Sequence, residues 1–288
     1  MKINGKEIAD HIINHLSKEV KKLKRKPAFA VFLVKPSEEN ISFVKAKEKA
    51  TKAINGSFHL IRTNTVPTFE KFANKIKNTA EDRAISSIII QQPLPSSLST
   101  DSLYDYIPHE KEIEGHKKKS YFYPPIGLAV FTILKYIYQP GNKKNIKELM
   151  VDMKKDRLFF KRVLKRKKIV LIGRGTTGGK PIAQIFTEAK INFINIHSQT
   201  PHAEFFEKEA DIIISAVGRK VINPNDLKSG VILISVGIRK ENDVWKGDYD
   251  EDEVKNIAGF YTPTPGGIGP LDIAYLMHNL VESTRVQK

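Results

Sequence analysis

Apolar residues recur along this chain with two different spacings, and the alternation between them lays out an architecture. Ile8, Ile12, Leu16, Val20 and Leu23 fall on one face of a helix, so a helix is expected over 8–23. Ala28 to Val34 is then an unbroken apolar run, the mark of a short strand buried on both faces. The pattern continues with a helix over 40–54, begun by Ser37 and carrying Glu38 and Glu39 in its first turn. A strand over 58–63, a helix over 68–80, a strand over 84–91 and an apolar helix over 126–138 follow. Later strands are expected at 168–172, 192–196, 212–216 and 231–236, with helices over 181–188 and 271–285. Strands that alternate with helices in this way predict parallel sheets covered by helices, an α/β fold.

The stretch 139–166 breaks the rhythm. It opens with Pro140-Gly141, is rich in lysine, and predicts one or two helices. Ile146, Leu149, Met150 and Met153 share one face, and Phe159, Phe160, Val163 and Leu164 share another. Residues 142–168 hold 12 Lys and Arg against 3 Asp and Glu, a net of +9 within a chain total of +16. Such a surface can steer anions or hold RNA nonspecifically. The paired apolar stripes favour buried packing or a dimer surface over an arm that contacts RNA or membrane.

Length and composition bound the rest. A chain of 288 residues, 40% hydrophobic and 28% charged, suits a globular protein of two domains. No apolar run approaches the roughly 20 residues of a membrane span, and no apolar leader follows Met1, so a cytoplasmic protein is expected. The absence of cysteine excludes disulfides and thiolate metal sites, and the eight histidines show no ligand-like clustering; no metal is expected.

The candidate chemistry begins at Lys168-Ile-Val-Leu-Ile-Gly-Arg-Gly-Thr-Thr-Gly-Gly-Lys-Pro181. Gly173, Gly175 and Gly178 keep the G-x-G-x-x-G spacing that turns a strand tightly into a helix and lets backbone approach a pyrophosphate. A P-loop is excluded, because Lys180 is followed by Pro181 and not by Ser or Thr. In an NAD site an acid about 20 residues further on binds the ribose. Here that position reads Ile196-His197-Ser198-Gln199-Thr200, with no acid. Arg174 and Ser198 could instead meet a ribose phosphate, which points to NADP; as ordinary loop residues they would carry no such meaning.

Further motif-like segments follow in the second half: Ala210-Asp211-Ile212, Ala216-Val217-Gly218, Val236-Gly237-Ile238, Gly247-Asp248 and, most specific, Thr262-Pro-Thr-Pro-Gly-Gly-Ile-Gly-Pro270. The first half adds Lys2-Ile-Asn-Gly-Lys6, Gln91-Gln-Pro-Leu-Pro95 and Lys111-Glu-Ile-Glu-Gly115. Together they resemble the bifunctional methylenetetrahydrofolate dehydrogenase/methenyltetrahydrofolate cyclohydrolase family over essentially the whole chain except 139–166, which looks like an insertion. The resemblance implies two α/β domains flanking a cleft. The first, 1–138, is joined by the closing helix 271–288; the second, 167–270, is a Rossmann-like NADP domain. It also implies a homodimer and a folate substrate, polyglutamylated in the cell.

By resemblance, Phe43-Val44-Lys45-Ala46-Lys47 falls on the family's Y-V-x-x-K, which makes Lys47 the catalytic lysine and sets Phe43 one turn before it. Without the family, Lys47 is one lysine among several on a solvated helix. Gln91, ending a predicted strand, matches the glutamine that supports the lysine and the folate, followed by Pro93 and Leu94. Glu114 falls on the aspartate that holds the pterin, with one extra methylene. Pro265, Gly266 and Gly267 join the substrate side, while Ala216, Val217, Gly218 and Ile238 join the cofactor side with His197. The implied reactions are hydride transfer to NADP+ and then hydrolysis of the methenyl cation.

Several departures mark a divergent member. Phe43 lacks the family tyrosine's hydroxyl, Gly175 stands for a serine, Ser235 for an aspartate and Asp272 for a threonine. Dehydrogenation rests on geometry and hydrolysis on proton transfer, so the second activity is expected to be reduced. The alternative is an inactive folate- or nucleotide-binding paralogue that acts by association.

Overall fold

The computed structural model describes residues 1–139 and 146–287. The chain divides into two compact units, one of Asp10–Pro125 with Ile273–Lys288 and the other of Met1–Ala9 with Ile126–Asp272. This division differs from the one read along the chain at both ends of the first half. Residues 1–9 go with the second unit because Ile3 N–H donates to the Tyr261 carbonyl at 2.9 Å and Tyr261 N–H to that of Met1 at 3.0 Å.

In the first unit the elements run α1 (Gly5–Val20, shared between the units), β1 (Ala28–Val34), α2 (Glu38–Ala53), β2 (Ser57–Thr63), α3 (Phe69–Glu81) and β3 (Ser87–Ile90). The three strands are parallel in the order β2-β1-β3. β1 lies between the other two and is buried throughout, which is why it reads as a continuous apolar run. On one of its faces Ala28, Ala30, Phe32 and Val34 pack with Phe72, Ala73, Ile76 and Ala80 of α3, and the rings of Phe32 and Phe72 meet edge-on at 5.6 Å. Ser37 Oγ caps α2 by accepting from Asn40 N–H at 3.2 Å, and Glu38 and Glu39 face the positive end of that helix. β3 is shorter than the expected 84–91, because the chain before Ser87 is still a turn: Ile85 N–H donates to the Asp82 carbonyl at 3.2 Å.

The second unit continues with α4 (Pro125–Tyr138), α5 (Ile146–Leu149), α6 (Met153–Leu164), β4 (Ile169–Ile172), α7 (Gly179–Ala189), β5 (Ile194–Ile196), α8 (Ala203–Glu209), β6 (Ile212–Ser215) and β7 (Ile232–Ser235). A hairpin of β8 (Arg239–Glu241) and β9 (Val244–Lys246), a turn of helix α9 (Glu251–Val254) and β10 (Phe260–Tyr261) complete it, and α10 (Ile268–Val286) begins here and belongs to the first unit from Ile273 onward. Its five-stranded parallel sheet runs β10-β7-β6-β4-β5, the doubly wound order expected of a Rossmann-like domain. β4 is the switch point, with β5 on one side and β6 on the other.

The basic segment is a packed part of this unit. Residues 140–145 and the side chain of Ile146 lie outside the described residues. Phe160 and Leu164, one turn apart on α6, are buried, and Phe160 meets Phe131 of α4 at 4.7 Å, which in turn meets Phe186 of α7 at 4.8 Å. Lys135 Nζ on α4 pairs with Asp156 on α6 at 2.7 Å. The apolar stripe is therefore spent on internal packing. Among the described residues no helix is long and apolar enough to cross a membrane, and no group of acidic or histidine side chains could hold a metal.

Candidate active site

Lys47 sits on the inner side of α2 with only 9% of its surface exposed. A buried ammonium is costly unless other groups replace its hydration. Its Nζ donates to Gln91 Oε1 at 2.7 Å and stands 4.0 Å from Glu114 Oε1. Gln91 follows the last residue of β3, so its side chain leaves the carboxyl end of a parallel strand, where open α/β sheets place their ligands. Its Nε2 donates to the Gln92 carbonyl at 2.7 Å, which turns Oε1 toward the lysine. The Gln92–Pro93 peptide is cis; Pro93 is exposed and Leu94 is buried in the core. Phe43, one turn before Lys47, keeps 37% of its surface exposed.

Glu114 reaches this site because residues 111–114 run alongside β3. Ile88 N–H donates to the Lys111 carbonyl at 2.9 Å, and Lys111 Nζ ties the segment to the end of α3 through the carbonyls of Ala80 and Asp82, both at 2.7 Å. From the other side, Asn279 Nδ2 of α10 donates to the Ile113 carbonyl at 2.9 Å and to that of Tyr123 at 3.1 Å. Burial acts to raise the Glu114 carboxyl, but His116 and Lys47 outweigh it and hold the group below the usual carboxylate range.

Three further polar residues here were not singled out from the sequence. Glu112 is buried, accepts from Glu114 N–H at 2.7 Å, and is raised by burial above its ordinary value. His116 Nε2 lies 3.6 Å from Glu114 Oε2, and its ring stacks on Tyr104 at a centroid separation of 4.5 Å. Tyr104 accepts from Gln92 Nε2 at 3.2 Å, and burial raises its phenol. The one available signal was the alternation in Lys111-Glu-Ile-Glu-Gly115, which sets Glu112 and Glu114 on the same side of an extended chain and Ile113 in the core.

The cofactor-side residues gather at the carboxyl ends of β4 to β7 in the second unit. Gly173 N–H donates to the Ile196 carbonyl at 2.9 Å, and Ala216 N–H to that of Ile172 at 2.8 Å. Gly173 has φ +105°, and a Cβ there would lie 2.6 Å from the Ala216 carbonyl oxygen, so only glycine lets the strands close this tightly. Above Gly175, in contrast, a Cβ would meet nothing within 4 Å, and the loop keeps open space over its backbone. Close glycine backbone, open space and the start of α7 fit a pyrophosphate. Gly178 lies against Ala216, and the Ile238 carbonyl lies beside Gly218. Arg174 Nη2 donates to Gln199 Oε1 at 3.3 Å, so Gln199, which the sequence reading passed over, is its partner; Ser198 is exposed beside it and His197 is half-buried.

Asp248 completes this side, and its role was also missed. Its fully buried carboxylate accepts from Val217 N–H at 3.1 Å, Gly218 N–H at 2.8 Å and Arg219 N–H at 3.1 Å, holding the loop after β6. Ser235 is buried and its hydroxyl accepts from Asp248 N–H at 2.9 Å. Pro265, Gly266 and Gly267 belong to this second unit, where the Gly266 carbonyl accepts from Lys6 N–H at 2.8 Å. The structure therefore brings Lys47, Gln91 and Glu114 together within the first unit and the glycine-loop residues together within the second.

Residues 3–114 match the catalytic domain of tetrahydrofolate dehydrogenase/cyclohydrolase, and residues 153–288 match the NAD(P)-binding domain of the same family. The chain belongs to the tetrahydrofolate dehydrogenase/cyclohydrolase family. The NAD(P)-binding match begins inside the basic segment, at α6. The bifunctional protein FolD of Anoxybacillus flavithermus is 34% identical over 291 aligned residues, which cover 99% of this chain and 98% of that protein. Among solved structures, the bifunctional methylenetetrahydrofolate dehydrogenase/cyclohydrolase FolD of Campylobacter jejuni superimposes with a TM-score of 0.85 at 26% identity, covering 99% of this chain and 98% of the other. A 5,10-methylenetetrahydrofolate dehydrogenase from the silkworm, Bombyx mori, gives 0.81 at 27% identity, covering 99% and 97%.

Proposed function

We propose that this chain oxidises the one-carbon bridge of 5,10-methylenetetrahydrofolate with NADP+ and then hydrolyses the methenyl cation to 10-formyltetrahydrofolate. The observation that carries this reading is the buried Lys47, held by Gln91 at 2.7 Å beside the Glu114 carboxylate. A solvated helix lysine would have no such partners. When bound, NADP supplies the hydride acceptor for the first step. Gly173, Gly175 and Gly178 would approach its pyrophosphate, and Arg174 with Ser198 would meet its ribose phosphate.

The chain's own residues account for the rest. Glu114 is kept ionised by its cationic neighbours, and an ionised carboxylate can accept two hydrogen bonds from the amidine-like N–H edge of a pterin. Phe43 offers a ring face for stacking. Lys47 Nζ, with its position set by Gln91 Oε1, is the group placed to move a proton as water adds to the cation. With phenylalanine at 43, no hydroxyl shares that task. A missing hydrogen bond of this kind costs roughly 1–3 kcal/mol, so hydrolysis is the weaker activity.

Assaying both steps on purified protein tests the proposal. NADPH formation from methylenetetrahydrofolate is expected to exceed hydrolysis, and NADP+ to be used better than NAD+. Full hydrolysis with feeble oxidation would refute the assignment of roles. Phe43→Tyr is expected to raise the hydrolysis rate about ten- to a hundredfold while the oxidation rate changes far less. Arg174→Ala is expected to raise KM for NADP+ about tenfold and to leave KM for NAD+ nearly unchanged, since only NADP+ carries the extra phosphate.

In the same reading the protein works in the cytoplasm as a homodimer on polyglutamylated folate. β5 is an edge strand that leaves Ile194 43% exposed, an apolar contact suited to a second copy. The net charge of +16 suits a substrate with a polyanionic tail.

A further inference from the structure

Glu114 carries the pterin-facing role but has a long side chain, and no backbone amide among the described residues holds its carboxylate. Two cations do so. Lys47 stands 4.0 Å from Oε1, and His116 stands 3.6 Å from Oε2. Glutamate has three side-chain torsions to fix before it can present both oxygens to a ligand, and each unfixed torsion weakens binding through lost entropy. A carboxylate also has about four acceptor positions, so an oxygen that faces an imidazolium can still accept from a pterin N–H.

His116 is itself held for this task. Gly115 turns the chain between the two residues, and the His116 ring lies on Tyr104, whose hydroxyl is tied to Gln92 Nε2 at 3.2 Å. The groups that face His116 are Glu114 and Glu112 of its own segment, with Asp101 and Tyr104 from the 3-10 turn 101–106. Lys47 of α2 lies across Glu114, and Lys117 next to His116 directs its Nζ away, to the Ile107 carbonyl at 2.6 Å. The carboxylates of Glu114, Glu112 and Asp101 favour the charged imidazole. The His116 side chain keeps 24% of its surface exposed, so solvent protons reach it.

We infer that His116 is a positioning residue for Glu114: its imidazolium clamps the second carboxylate oxygen, and loss of its proton loosens the folate site. The inference rests on the reading of Glu114 as the pterin-binding group. Burial acts to lower the imidazole, and the surrounding carboxylates outweigh it, so His116 titrates above its ordinary value. The clamp is therefore complete below that pKa and is lost as pH rises through it.

The test is steady-state oxidation of methylenetetrahydrofolate from about pH 5 to about pH 9, which spans the ordinary histidine range and extends above it. In the wild type, KM for the folate is expected to rise on the alkaline side, with no matching rise in KM for NADP+. His116→Gln is expected to raise the folate KM about tenfold at the acid end, to remove the alkaline rise, and to change kcat much less. His116→Arg keeps the charge at every pH, and is expected to restore a low KM that no longer depends on pH. If His116→Gln keeps the wild-type folate KM and pH profile, the clamp is overturned. Glu114→Ala separates the two levels. An unchanged folate KM in that variant removes the pterin-binding reading itself, whereas a raised KM there with no effect of His116→Gln removes only the clamp.

Discussion

Replacing Lys47 by methionine is expected to lower the hydrolysis rate by about 10²–10⁴-fold, the usual range for loss of a positioned proton-transfer group. Methionine keeps the apolar stem inside α2 and removes only the charge and its donors, so the fold should survive. Two partners lose by the change. Gln91 Oε1 gives up its 2.7 Å hydrogen bond, and Glu114 gives up one of its two cations. Oxidation should fall less, because that step depends on how the folate is held and needs no proton from Lys47. The measurement is turnover of the methenyl substrate with a thermal melt in parallel. An intact variant with unchanged turnover would overturn the role of Lys47, whereas a wild type with no turnover would leave the inactive folate-binding paralogue as the better reading.

The second large effect concerns stability. Asp248→Ala is expected to cost about 3–5 kcal/mol, because a fully buried carboxylate is removed and three backbone N–H groups are left without an acceptor. Those donors belong to Val217, Gly218 and Arg219, the loop that follows β6 beside the glycine turn. The loss should therefore appear both as a fall in Tm of about 10 °C and as a raised KM for NADP+. Asp248→Asn keeps one acceptor oxygen and should lie between the two. A Tm within about 2 °C of wild type for the alanine variant would show that the loop is held by something else.

The elements that could be read from the sequence are those whose burial repeats. β1, β3, β4, β6 and β7 are buried along their whole length, so each left an apolar run in the sequence. α2 announced itself through Ser37, which caps it as a side-chain acceptor, while Thr68, read as the first residue of α3, is the cap of that helix. The elements that escaped bury little. α8 has no buried residue, and the hairpin β8–β9 is exposed or half-buried throughout, so neither imposes a period on its residues. The basic segment 142–168 carried two signals, a charge that allowed a free surface and apolar stripes that favoured packing, and Phe160 and Leu164 of α6 follow the second.

By itself, the sequence determined the α/β alternation, the glycine turn at Gly173–Gly178 and, through motifs from Lys2 to Pro270, the family, and it singled out Lys47, Gln91 and Glu114 as candidates for the site. Those features are local: a run, a spacing or a short motif records each one. Only the tertiary structure decided which charges share the site. Glu114 stands between Lys47 and His116, Arg174 turns to Gln199, and Asp248 holds the loop after β6. The physical reason is that an ion pair or a buried hydrogen bond depends on distances of a few ångströms between residues far apart in the chain. A histidine among lysines, or an aspartate after Gly247, carries no periodic trace of the partner that folding brings to it.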